Sequence, residues 1–267
     1  MTGDLSFIYF TDFHGWENRY FNLHRAAGQL GIKLLVCGGD ITPHNNARNF
    51  LRFFFRNWLQ QLSQDRITLL GMFCNDDPAF LAYSLDSFER GRLFTRIDGK
   101  MVSYQGWNFW GYNFVPELPF AMKDWAKLDY SGAPIIRSIT RPGVFTEKGF
   151  APISNIDKFF AERGTIEADL EQVEFAAPQH TIAVLHSPPF GIGLDVCYDG
   201  RQVGSKSVLK FLKRTQPLLS LHGHIHESPR MTGIWQTNIV NTLVIQPGGN
   251  MVLVKIKEGG VSATLLD

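Results

Sequence analysis

The chain is poor in cysteine and has no long apolar run. Its 267 residues include only three cysteines, Cys37, Cys74 and Cys197, which are widely spaced. This usage argues against a disulfide framework or a zinc knuckle and indicates reduced thiols in a cytoplasmic protein. Because no stretch of about 18 apolar residues is present, no transmembrane helix is expected. The start, Met1-Thr2-Gly3-Asp4, lacks a basic region followed by an apolar core, so we expect no signal peptide.

The sequence also lacks an excess of charge of either sign. The formal net charge is +1, which provides no general attraction to nucleic acid or to acidic membrane surfaces. A nucleic acid is therefore not the favoured partner, and a membrane is not expected. Internal repeats and low-complexity segments are absent as well. A chain of this length buries roughly 75% of its unfolded surface and suits one large α/β domain.

Apolar runs alternate with helical patterns, and polar residues follow several of these runs. Strand candidates are Leu5–Phe10, Ile32–Cys37, Ile67–Phe73, Thr181–Leu185 and Leu218–Leu221. In open α/β sheets the ligand site lies at the carboxyl ends of the strands. The residues that follow these runs and can bind metal are Asp12, His14, Asp40, Asn75, His186, His224 and His226.

The densest part of this set is the stretch Leu221-His222-Gly223-His224-Ile225-His226. It holds three of the eight histidines in the chain. Histidines two apart around a glycine can direct two imidazoles to one point at the end of a strand. A histidine-rich polar turn is the alternative interpretation, and the matching residues after other strands weaken it.

The residue types indicate the metals. Carboxylates, imidazoles and one amide oxygen suit manganese, with iron or zinc as alternatives. No cysteine is among them, which argues against a structural zinc site. Seven ligands exceed one tetrahedral site and suffice for two divalent ions that share a carboxylate, roughly 3.5–4 Å apart. Such a pair lowers the pKa of a bridging water and stabilises the attacking and leaving oxygens of a displacement at phosphorus.

The run from His186-Ser187-Pro188-Pro189 to Glu227-Ser228 looks like an uncharacterised prokaryotic branch of the calcineurin-like metallophosphoesterases. Five ordered motifs across the chain resemble those of that family. They are Asp12-x-His14, Gly39-Asp40, Asn75 with Asp77, His186, and Gly223-His224-x-His226. The resemblance implies a four-layer αββα sandwich of two mixed β-sheets flanked by helices. It implies that Asp12, His14 and His226 bind one metal, that Asn75, His186 and His224 bind the other, and that Asp40 bridges them. It also implies hydrolysis of a phosphomonoester or phosphodiester by a metal-bridging hydroxide.

The sequence departs from the family pattern at Asp76. The family usually has Gly-Asn-His-Asp/Glu, whereas this chain has Cys74-Asn75-Asp76-Asp77. Asp76 therefore replaces the histidine that faces the phosphate. An ionised Asp76 would disfavour dianionic monoesters and favour diesters, whereas a protonated Asp76 could act as the general acid. His222 and His44 are further imidazoles that could protonate the leaving group, although a supporting polar role suits each of them.

Alternatives to a metal centre exist for single residues. Asp12 could cap a helix, Asn75 could form a turn and His186 could be a buried core histidine, but together these interpretations require independent coincidences. We expect one domain over residues 1–267, with a proline-rich, lid-like insertion around 115–153. A metal-binding scaffold for a protein partner, with weakened catalysis, is the main alternative function, and a nuclease is another.

Overall fold

A computed structural model describes residues 3–136 and 140–266. It contains sixteen strands within these ranges. They are β1 (Leu5–Phe10), β2 (Leu34–Cys37), β3 (Thr68–Gly71), β4 (Thr95–Arg96), β5 (Met101–Tyr104), β6 (Trp107–Tyr112), β7 (Val115–Pro116), β8 (Ala126–Lys127), β9 (Gly143–Thr146), β10 (Gly149–Pro152), β11 (Thr181–Leu185), β12 (Leu219–Leu221), β13 (Gln236–Ile239), β14 (Thr242–Ile245), β15 (Met251–Lys257) and β16 (Gly260–Leu266).

The helices are mostly short and lie between the strands. They are α1 (Glu17–Leu30), α2 (Ala47–Asn49), α3 (Arg56–Gln64), α4 (Ala82–Arg90), α5 (Ile156–Arg163), α6 (Ile166–Glu171), α7 (Lys206–Thr215) and α8 (Ser228–Thr232). A π-helical segment, Phe50–Phe55, joins α2 to α3, and 3₁₀ turns occupy Ala79–Leu81 and Pro178–His180. None of the helices in the described ranges combines the length and the apolarity needed to cross a bilayer.

The strands form two large mixed sheets. One has the order β16-β15-β1-β2-β3-β4, in which β1 to β4 are parallel and β15 and β16 extend the edge in antiparallel pairing. The other has the order β13-β14-β12-β11-β6-β5, with a parallel centre and antiparallel outer pairs. Both sheets therefore expose the carboxyl ends of several neighbouring parallel strands, as a ligand site at a sheet edge requires.

The side chains of β1 show how the layers form. Phe7 and Tyr9 point into a core between the two sheets, whereas Ile8 and Phe10 belong to a second core beneath α1 and the Phe50–Phe55 segment. A third core lies between the other face of the second sheet and helices α6 and α7. The molecule therefore has four layers: helices, the first sheet, the second sheet and further helices, with one core between each neighbouring pair. This is the four-layer αββα sandwich that the family resemblance implied, and that prediction is confirmed.

Three local features are set by the fold around them. The segment around Leu93–Phe94 leads into β4, which pairs in parallel with β3. Val240 has a positive φ of 53° and lies in the turn between β13 and β14. Glu227 is the N-cap of α8, and Pro229 lies in the first turn of that helix, where a proline costs no hydrogen bond.

The 115–153 segment, which we expect to be a lid-like insertion, contains only short strands. Its strands β7 and β8 form a short parallel pair, and β9 and β10 form a hairpin. Asp124 and Trp125, which lie between these elements, contact residues near Asn75: Asp124 accepts a hydrogen bond from the Ala79 amide at 2.9 Å, and Trp125 donates one to the Asp77 carbonyl at 2.6 Å. Residues 137–139 of the insertion lie outside the described residues.

Candidate metal centre

The seven predicted ligands converge at one edge of the two sheets. Asp12 and His14 follow β1, Asp40 follows β2 and Asn75 lies beyond β3, whereas the remaining three histidines follow strands of the second sheet. Four of the seven have a positive φ: 59° at Asp12, 46° at His14, 52° at Asp40 and 70° at His224. Residues other than glycine rarely adopt this conformation, and such strain concentrates at functional sites.

Four of these side chains form a compact donor cluster. One donor atom each from Asp12, His14, Asp40 and His226 lies within 4.8 Å of the others. The Nε2 atom of His226 is 3.0 Å from Asp12 Oδ1 and 3.1 Å from His14 Nε2. Two imidazole nitrogens and a carboxylate oxygen that face one another form a donor set suited to a divalent cation.

A second set of donor atoms is buried without hydrogen-bond partners among residues 3–136 and 140–266. Its members are Asp40 Oδ2, Asn75 Oδ1, His186 Nε2 and His224 Nε2. His186 Nε2 is 3.2 Å from Asp40 Oδ2, and its Nδ1 donates to the Gly38 carbonyl at 2.9 Å, which fixes the ring. Buried polar atoms are normally satisfied, so the unpartnered donor atoms of these four side chains fit a second cation. Asp40 belongs to both sets.

Burial and neighbouring charges shift the pKa values of three of the candidate ligands. Burial alone would raise the pKa of the Asp12 carboxyl, but the adjacent His226 outweighs it and holds that pKa well below its usual range. Burial likewise opposes charge on His226, yet Asp12 raises its pKa to about 9. Burial, with His186 nearby, lowers the pKa of His224 to about 3, so this ring is neutral and can coordinate metal. An ionised Asp12 and a neutral His224 are the forms of these side chains that bind a metal cation.

Two glycines allow this close packing. A Cβ on Gly39, which has φ of +111°, would lie 2.1 Å from Cys74 Sγ. A Cβ on Gly223 would lie 2.4 Å from Asp12 Oδ2. The backbone amide of His224 can therefore approach Asp12, to which it donates at 3.1 Å. Each glycine lets a ligand loop of one sheet approach the other loops.

Asp77 is a supporting residue whose role the motif alone did not reveal. Its fully buried carboxylate accepts hydrogen bonds from the Ile41 and Thr42 amides at 3.2 and 2.7 Å, from the Thr42 hydroxyl at 2.8 Å and from the Cys74 amide at 3.0 Å. It thereby joins the loop after Asp40 to the loop that carries Asn75. The bond to Ile41 spans 36 positions, so no local sequence pattern predicts it.

Two cavities adjoin the cluster, and His226 lines both. The larger, of about 580 Å³, is bounded by ligands on one side and by Phe120, Met122 and Phe145 of the insertion on the other. Phe120 makes an edge contact with the His224 ring, with centroids 6.1 Å apart. The smaller, of about 370 Å³, lies beside Asp12, His14 and His226. A group bound at the cluster therefore has space on two sides.

A sequence model of the calcineurin-like phosphoesterase family matches residues 5–228. The chain belongs to the calcineurin-like phosphoesterase family. One crystal structure is similar over 99% of this chain and 100% of its own, with a TM-score of 0.63 and 12% identity. The crystal structure of TT1561 of Thermus thermophilus is similar over 97% of this chain and 98% of its own, with a TM-score of 0.58 and 12% identity. At 12% identity, each of these two similarities shows only that the fold is shared. No curated protein sequence matches the chain.

Asp76 is the residue at which this calcineurin-like phosphoesterase departs from the family pattern. Its Oδ2 lies 3.4 Å from His14 Nδ1 and 3.7 Å from His44 Nδ1, and it lines the larger cavity. Its Oδ1 accepts from the Asn75 side-chain amide nitrogen at 3.0 Å, which leaves the Asn75 oxygen without a hydrogen-bond partner among the described residues. Burial and the neighbouring Asp40 raise the pKa of the Asp76 carboxyl. Asp76 thus lines the cavity and contacts the candidate ligand Asn75.

His222 and His44 occupy very different surroundings. His222 is fully buried, with Nδ1 2.9 Å from the Ser187 carbonyl and Nε2 2.7 Å from the Ser220 hydroxyl. Both of its ring nitrogens are therefore engaged, which favours a supporting role over proton transfer to substrate. His44 is 69% exposed and stacks on His14 at 5.4 Å between centroids. It also lines the larger cavity, so it is the better placed of the two imidazoles.

Proposed function

We propose that this chain hydrolyses small phosphate esters at a dinuclear metal centre. Asp12, His14 and His226 would hold one ion, Asn75, His186 and His224 the other, and Asp40 would bridge them. The observation that carries this proposal is the set of orphaned buried donor atoms of Asp40, Asn75, His186 and His224 beside the compact Asp12 cluster. Membership of the calcineurin-like phosphoesterase family supports the reaction class.

Manganese is the metal we propose, with iron or zinc as alternatives. The donor set mixes carboxylate, imidazole and amide oxygen and contains no thiolate, because Cys74 Sγ donates to the Gly38 carbonyl instead. Cys37, Cys74 and Cys197 are all unpaired, which supports a reducing, cytoplasmic location.

Hydrolysis adds the oxygen of water to phosphorus, breaks one ester P–O bond and delivers a proton to the leaving oxygen. Two bound divalent ions supply positive charge that acidifies water and stabilises the phosphate oxygens in the transition state. The chain itself fixes the geometry: the Gly38 carbonyl orients His186, and Asp12 anchors the His224 amide. Asp76 and His44 line the cavity where the leaving group would lie and are the candidates to move its proton.

We propose phosphodiesters as the preferred class. The two cavities that share His226 can accept the two organic substituents of a diester, whereas a monoester has one. An ionised Asp76 in the larger cavity would further disfavour a second negative charge on the reacting phosphate. The aromatic wall of Phe120 and Phe145 supports an apolar or planar substituent there.

The purified protein loaded with Mn²⁺ tests the proposal on bis(p-nitrophenyl) phosphate and p-nitrophenyl phosphate. We expect turnover of both esters, a higher kcat/KM for the diester, and loss of both activities in Asp40→Asn. Asp157→Asn replaces an exposed carboxylate on α5 and serves as the control. If the folded protein binds two ions and hydrolyses neither ester, the proposed hydrolytic activity is contradicted and a metal-binding scaffold is favoured.

A further inference from the structure

The smaller cavity contains a feature that hydrolysis of a single phosphate does not require. It is lined by Arg19 and Arg230, together with Trp16, Tyr198 and Asn250, and it opens beside Asp12 and His226. We call these five residues the arginine pocket. Two guanidinium groups next to a metal centre that is itself cationic when loaded create a strongly positive surface.

Arg19 is held in place. Its Nη1 donates to the Asp12 carbonyl at 3.2 Å, and its guanidinium lies 5.6 Å from the Trp16 ring centroid. Gly249 makes room for it, since a Cβ there would approach Arg19 Nη1 to 2.6 Å. A pre-positioned guanidinium loses little entropy on binding an anion.

In the described parts of the chain, neither Arg19 nor Arg230 forms an ion pair with a carboxylate, whereas Arg96 pairs with Asp86 and Asp98. Arg19 is half-buried and still carries no compensating charge. Burying an unpaired charge costs stability, so such a group usually serves a ligand of opposite sign.

The aromatic side chains of the pocket are unusually exposed. Trp16 is 68% exposed and Tyr198 67%. Neither contributes to the three hydrophobic cores. Exposed aromatic rings beside arginines form a surface on which a planar base can stack while its phosphate contacts the guanidinium groups.

We propose that the arginine pocket binds a second phosphate of the substrate, so that the preferred substrates are nucleotide-like diesters that carry a phosphate besides the reacting one. The inference rests on the proposed phosphodiester hydrolysis and adds its specificity. The bond changes are those given above: water adds to the reacting phosphorus, one ester bond breaks and the leaving oxygen takes the proton. The second phosphate is bound and not cleaved.

Two chromogenic diesters that differ by one phosphate test the inference. They are thymidine 5′-(p-nitrophenyl phosphate) and the same compound with a 3′-phosphate, assayed on the Mn²⁺-loaded protein. We expect kcat/KM to be about 10-fold higher or more for the 3′-phosphorylated ester, since charged hydrogen bonds contribute at that level. The ratio of the two values should fall towards one in Arg230→Gln and be partly retained in Arg230→Lys. Arg56→Gln, an exposed arginine on α3, should keep the wild-type ratio.

Calorimetry measures binding to the arginine pocket without requiring that the protein be catalytically active. Thymidine 3′,5′-bisphosphate should bind the metal-loaded protein about 10-fold more tightly than thymidine 5′-monophosphate, and Arg230→Gln should remove this difference. Equal affinities in the wild type, or a preference that Arg230→Gln leaves intact, would overturn the inference even if both diesters are hydrolysed. Tighter binding of the bisphosphate without any turnover would instead support the pocket and contradict the phosphodiesterase proposal.

Discussion

At the scale of single residues, Asp76 links the larger cavity to the candidate ligand Asn75. Its carboxylate lines the larger cavity and also accepts a hydrogen bond from Asn75. Asp76→His restores the family residue and removes a negative charge from the cavity. We expect the ratio of kcat/KM for p-nitrophenyl phosphate to that for the bis ester to rise, because a dianionic monoester is then less strongly repelled.

Asp76→Asn is the control, because it removes the charge and keeps the hydrogen-bonding shape towards Asn75. Both variants should increase the relative rate on the monoester. If neither variant changes the monoester-to-diester ratio while the bound metal stays constant, the charge of Asp76 does not set substrate preference.

His222 illustrates a residue whose motif position suggests chemistry and whose contacts suggest support. It bonds the Ser187 carbonyl next to ligand His186, and the Tyr9 hydroxyl donates to the His222 carbonyl at 2.9 Å. We expect His222→Ala to lower the free energy of unfolding by about 1–3 kcal/mol, because buried polar partners lose their bonds. Urea unfolding measures this loss. A fall in kcat with unchanged stability and unchanged bound metal would instead indicate proton transfer by His222.

At the scale of elements, the 115–153 insertion forms a wall of the candidate site through a few anchoring hydrogen bonds. Asp124 accepts from the Ala79 amide and from the Phe145 amide, both at 2.9 Å, so it fixes Phe145 relative to the loop that follows Asn75. Asp124→Ala leaves two amides without their acceptor. We expect a loss of about 1–3 kcal/mol in the free energy of unfolding, and a larger rise in KM than fall in kcat for the diester.

Asp157→Ala, at an exposed position on α5, is the matched control for both measurements. The structure assigns Asp124 to positioning, so bound-metal content should stay unchanged in Asp124→Ala. Loss of metal from this variant would show that the insertion supports the ligands themselves and does not merely bound the cavity.

The elements also show why some features could be predicted and others could not. The strands that precede the ligands are continuous apolar runs, so their ends and the residues after them were readable from the sequence. Helix α5 was missed although Asn155 caps it, with its side chain accepting from the Lys158 amide. Its eight residues bury mainly Phe160, so the apolar period is too weak to detect.

At the scale of the whole molecule, the site depends on contacts between distant parts of the chain. The polar residues that follow the apolar runs predicted the ligand candidates, and the resemblance of the five ordered motifs to a known family implied the sandwich. The Asp77 bonds to the loop after Asp40 and the arrangement of Arg19, Tyr198 and Arg230 around one pocket depend on tertiary packing. No periodicity in the sequence encodes such arrangements, so the arginine pocket was not predicted.

The central claim is that the converging side chains hold two divalent ions that enable phosphoester hydrolysis. Its most direct measurement is a titration of Mn²⁺ into the metal-depleted protein, in which bound metal, thermal unfolding and turnover of bis(p-nitrophenyl) phosphate are followed together. We expect two ions per chain, turnover that appears as the sites fill, and a Tm rise of roughly 5–10 °C at about 100 times the Kd. Asp40→Asn should bind less metal and show little turnover. Saturation of the wild type without turnover, or equal metal binding and turnover in Asp40→Asn, would contradict the claim.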